Sequence, residues 1–164
     1  MLAENFLTAE KLGIPEIIKG YLIQVLRDLE LGRIKTASFR NDGLFAPKGV
    51  KAIAMNVIYD DEGLDECGTV GCIYGWVTHF AQKERKGKLV PGLFHVVHDY
   101  PALADLFMVG YNWNAGSASI GQAPAVAAAI RNYLTTGEAK WPEVIKEFKL
   151  EWTIPKPISL GGRG

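Results

Sequence analysis

The sequence predicts a mainly α-helical protein: a single compact domain of five to seven helices with at most a short strand or hairpin. Three observations carry that expectation. Apolar residues recur at spacings of three and four in several windows long enough for helices. Helix punctuation brackets those windows, with Pro15 and Pro142 in first turns and Gly32 and Gly137 at ends. Only "VKAIAMNVIY" reads as a short strand or an extended buried segment. The helical domain is placed at residues 1–150. The tail 151–164, containing "TIPKPISLGGRG", is expected to be extended or loose.

Taken in order, a short turn of helix is expected from Thr8 to Leu12. The strongest helix follows, because Ile14, Ile17, Ile18, Tyr21, Leu22, Val25, Leu26 and Leu29 form one apolar face. Pro15 suits its first turn and Gly32 its end. "FRNDGLFAPKG" has turn chemistry at Asp42-Gly43 and Pro47. "DDEGLDE", residues 60–66, reads as a solvated acidic loop. A second helix is expected from about Thr69 to Lys86, with Thr69 capping its free amides and Val70, Ile73, Trp76, Val77 and Phe80 facing the core. Gly71 and Gly75 would then lie one turn apart and admit a neighbouring backbone. "PGLFHVVHDYPALADLFMVG" suggests two short helices broken at Pro101, and "NWNAGSASIGQ" a polar loop. "APAVAAAIRNYLTTG" is a helix ended by Gly137, and "WPEVIKEF" a last short one.

Composition excludes several function classes. Lysine plus arginine number 18 and aspartate plus glutamate 18, so the chain has no net electrostatic pull on nucleic acid or anionic membrane. No apolar run approaches the roughly 18 residues that span a bilayer. "MLAENFLTAEKLG" lacks the basic and apolar regions of a secretory signal. Two cysteines in such a chain are expected as free thiols in a reducing cytoplasm.

Those cysteines, Cys67 and Cys72, stand in "DECGTVGCIYGW". The segment has the form Cys-Gly-Thr-x-x-Cys-x-x-Gly-Trp, carried here by Cys67, Gly68, Thr69, Cys72, Gly75 and Trp76. It resembles a pattern of small, uncharacterised bacterial and phage-borne proteins. The flanks are similar to that family too, in "ALADLF" and in the turn of Thr136, Gly137 and Trp141. The likeness covers roughly residues 15 to 148, and it departs at Tyr74, where the family more often has alanine. The resemblance implies a bacterial or phage origin and no particular activity.

Four readings compete for the two thiols. A cysteine at a helix N-terminus has a lowered pKa and can act as a nucleophile if a base is near. His79 follows Cys72 by seven residues on one helix, about 10 Å along the axis, which is too far. The base would have to be His95 or His98. A zinc reading joins Cys67 and Cys72 to His95 and His98, which share a helix face at a spacing of three. Its middle spacer is longer, and its histidine gap shorter, than in zinc fingers. A disulfide needs Cα atoms within about 7 Å. The structural reading gives every motif residue a packing role: Gly68 for a turn, Thr69 for a cap, Gly75 for close approach, Trp76 for the core, and the thiols as small buried hydrophobes. It is the expected one.

A calcium loop with Gly63 at its sixth position would need acids at its first and twelfth, where Ile58 and Thr69 stand. Weak divalent binding is left to Asp60, Asp61 and Asp65. "LTAEKLGIPEIIKGYL" faintly resembles a helix-turn-helix, but its second helix shows apolar residues and reads as core or a dimer face. Trp113 is the aromatic expected in the polar loop, either exposed for binding or plugging the loop from beneath. The expectation is a cytoplasmic, non-enzymatic binding module with a protein partner, a homo-oligomer included. Nucleic acid and membrane are not expected partners. No cofactor is expected, and zinc enters only with the alternative, a thiol- or zinc-dependent enzyme using Cys67 or Cys72 with His95 or His98.

Overall fold

The helices begin and end where proline, threonine and glycine direct the backbone. A computed structural model describes residues 5–36, 38–40, 43–45, 50–53, 69–71, 73–85, 93–107 and 122–149, and in it the protein is mainly α. Helix α1 (Ala9–Leu12) starts on Thr8, whose side-chain oxygen accepts the Lys11 N–H at 3.2 Å. It closes on Gly13 at φ 69°, a left-handed position that favours glycine. Helix α2 (Glu16–Glu30) follows Pro15. Tyr21, Leu22, Val25, Leu26 and Leu29 are buried along it, the period expected of an amphipathic helix. Ile17 departs from that expectation. It lies at the margin of the apolar stripe and faces solvent.

Five short strands follow or interleave. They are β1 (Ile34–Thr36), β2 (Ser38–Arg40), β3 (Gly43–Phe45), β4 (Lys51–Ile53) and β5 (Thr69–Gly71). β2 and β3 form an antiparallel hairpin with Arg40 opposite Gly43. β1, β4 and β5 form a parallel sheet in the order β1-β4-β5, with Ala52 in the middle opposite Lys35 and Val70. Parallel neighbours need long connections, and here they are residues 37–50, which include the hairpin, and residues 54–68.

The sheet corrects one sequence expectation. Helix α3 runs from Ile73 to Arg85 rather than from Thr69. Thr69 and Gly71 belong to β5, so Thr69 does not cap the helix and Gly71 is not in its first turn. The backbone of this segment bonds to the ladder beside β4, which competes with helix for the same amides. Of the residues expected to face the core from this helix, Ile73, Trp76, Val77 and Phe80 are buried on α3, whereas Val70 belongs to β5.

Helix α4 (Leu93–Asp99) ends before Pro101, which opens a 3-10 turn (Pro101–Leu103) leading into α5 (Ala104–Phe107). Helix α6 (Ala123–Thr136) closes on Gly137 at φ 85°. Its first residue lends a second tie to the sheet: the Ala123 N–H donates to Thr36 Oγ1 at 2.9 Å, so a strand residue serves an otherwise unbonded helix amide. Helix α7 (Trp141–Glu147) has Pro142 in its first turn. α2 packs on both α6 and α3, and Leu22, Leu26, Trp76, Ile130, Tyr133 and Leu134 on these three helices are fully buried. The acidic loop at 60–66, Trp113 and the tail 151–164 lie outside the described residues.

Candidate functional site

The motif that dominates the sequence falls at the passage from sheet to helix. β5 ends at Gly71 and α3 begins at Ile73. Cys67, Gly68 and Cys72 lie outside the described residues. Of the motif positions that are described, Trp76 is the most constrained. Its side chain is completely buried, and its Nε1–H donates to the Ala52 carbonyl at 2.9 Å, which pins α3 to the middle strand of the sheet. Thr78 Oγ1 donates to the Gly75 carbonyl at 2.8 Å, an internal bond of the same helix. Tyr74 is buried against Phe107 with ring centroids 5.3 Å apart, which ties α3 to α5.

The three histidines occupy separate environments. His79 is half-buried and meets the Trp76 ring edge-on at 5.2 Å. His95 and His98 are both exposed on α4, and His98 Nδ1 lies 3.3 Å from Asp99 Oδ1. Among the described residues, no group of three or more histidines, cysteines, aspartates or glutamates is arranged to hold a metal ion. No described helix is long and apolar enough to cross a membrane.

Between α2 and α6 the surface opens into a cleft of about 380 Å³. Leu29, Pro124, Ala127 and Ala128 give it an apolar lining, and Glu30 and Arg131 stand in its walls. The two charges are paired: Glu30 Oε1 accepts from Arg131 Nε at 2.9 Å and from Nη2 at 2.6 Å. Phe6 lies beneath the guanidinium, 5.8 Å from ring centroid to carbon, and the adjacent Leu7 N–H donates to the Leu134 carbonyl. The arginine therefore links the N-terminal segment, α6 and α2 in a single row. The small residues on α6 explain why the cleft exists: Ala127 and Ala128 leave space that larger side chains would fill. Nothing in the sequence reading singled out this place. Its only sequence signal is the alanine-rich run 123–129 on a helix otherwise apolar enough for the core.

A second polar cluster closes the far end of α6. Asp105 Oδ2 accepts the Ala139 N–H at 2.8 Å, and its backbone carbonyl accepts from Trp141 Nε1 at 3.1 Å. Asn132 Nδ2 donates to the Ala139 carbonyl at 3.2 Å. These bonds hold the 137–141 turn, where Lys140 adopts φ 56°. Tyr133 is fully buried nearby, and its hydroxyl has no hydrogen-bond partner among the described residues. Burial, and secondly the negative charge of Asp105, push its pKa up to about 12.

No family model, curated protein or solved structure matches the chain significantly.

Proposed function

We propose that this chain is a non-enzymatic, cytoplasmic protein-binding module of bacterial or phage origin that engages its partner through the α2–α6 cleft. The observation that carries the reading is the make-up of the cleft: an apolar floor of Leu29, Pro124, Ala127 and Ala128 flanked by a paired acid and base. Its volume of about 380 Å³ suits one or two anchoring side chains of a protein partner. Glu30 and Arg131 neutralise each other yet remain about 40% exposed (41% and 39%), so they offer polar contacts at the rim. The bacterial or phage origin rests on the cysteine motif alone.

The test is Ala128→Arg, which fills the cleft with a charged chain from a half-buried position. A protein captured by the wild type should be lost by the variant, with its affinity measured by calorimetry falling at least tenfold. The thermal melt of the variant should match that of the wild type. A captured protein that binds both forms equally overturns the reading.

A second reading is favoured by one observation. Strand β5 ends at Gly71 and α3 begins at Ile73, and the unpaired amides at a helix start depress the pKa of a thiol beside them. In that reading the chain is a thiol- or zinc-dependent enzyme using Cys67 or Cys72 with His95 or His98. Iodoacetamide labelling against pH and a zinc assay of purified protein test it. Thiols that label only after denaturation, in protein free of zinc, remove it.

A further inference from the structure

We draw no further inference here: the strongest candidate, the apolar cleft between α2 and α6 walled by Glu30 and Arg131, belongs to the site already described, and nothing among the described residues shows what covers it.

Discussion

Replacing Tyr133 with phenylalanine should leave the protein as stable or make it more stable. The side chain has no exposed surface, so its ring belongs to the core and must be kept. Its hydroxyl is a different matter. It is buried without a hydrogen-bond partner among the described residues. A buried polar group left unbonded costs about 1–3 kcal/mol in lost hydration, and removing it costs no hydrogen bond in return. The small void left by one oxygen offsets part of that gain. The net expectation is a gain of about 1 kcal/mol, which for a chain of this size raises Tm by about 2–4 °C.

The same hydroxyl predicts how the two proteins differ with pH. Tyr133 titrates near 12 in the fold, against about 10 in an unfolded chain. Between those values the unfolded state releases a proton that the folded state retains. Ionisation therefore favours unfolding: the contribution is fully present below pH 10 and is lost as pH rises through 12. Tyr133→Phe removes that loss, so its advantage over the wild type should widen across this window. Urea unfolding followed by circular dichroism at neutral pH and at alkaline steps measures both effects. A variant destabilised by more than about 1 kcal/mol at neutral pH would refute the reasoning, because it would mean that the hydroxyl has a partner worth a full hydrogen bond.

Three further perturbations follow from the same geometry. Trp76→Phe should cost about 2 kcal/mol or more, since it removes the bond to the Ala52 carbonyl and leaves a void between α3 and the sheet; chemical denaturation measures it, and a neutral result would show that the contact is not holding α3 in place. Asp105→Ala should cost about 1–2 kcal/mol, because the Ala139 N–H belongs to a fully buried residue and loses its acceptor; hydrogen exchange at Ala139 should accelerate in step. Gly20→Ala and Gly137→Ala should move in opposite directions by about 1 kcal/mol each in thermal melts of dilute protein. The first gains helix propensity in open space, and the second forces alanine into φ 85°.

The helices were legible because their signals are local. Pro15 and Gly32 bracket α2, Gly137 stops α6, and Pro101 separates α4 from α5, each through its own restriction on φ or on hydrogen bonding. The parallel sheet was not legible, for the opposite reason. Its strands are three residues each, too short to display an alternation. Their partners are remote in sequence, since β4 pairs Ala52 with Lys35 on one side and Val70 on the other. Thr69 ahead of an apolar run satisfies the local rule for a helix cap, and only the ladder with β4 overrules it. The α2–α6 cleft escaped notice because it arises from small side chains on one helix meeting the flank of another, a property of the pair and of neither sequence segment alone.

His95 and His98 lie one helical turn apart on α4 and both are exposed, and the cysteines that would complete a ligand set lie outside the described residues. Trp76, by contrast, drew attention as a filler of the core and proves to be a directed tie, its indole nitrogen bonded to Ala52 on the strand between β1 and β5. That bond gives the motif's last residue a structural purpose which needs no reactive thiol: it fixes the angle at which α3 leaves β5, and hence the surface that α3 presents to α2. The faces of α2 are divided accordingly, one to α3, one to α6 and the cleft, and the third, carrying Ile17, Gly20, Gln24 and Arg27, to solvent.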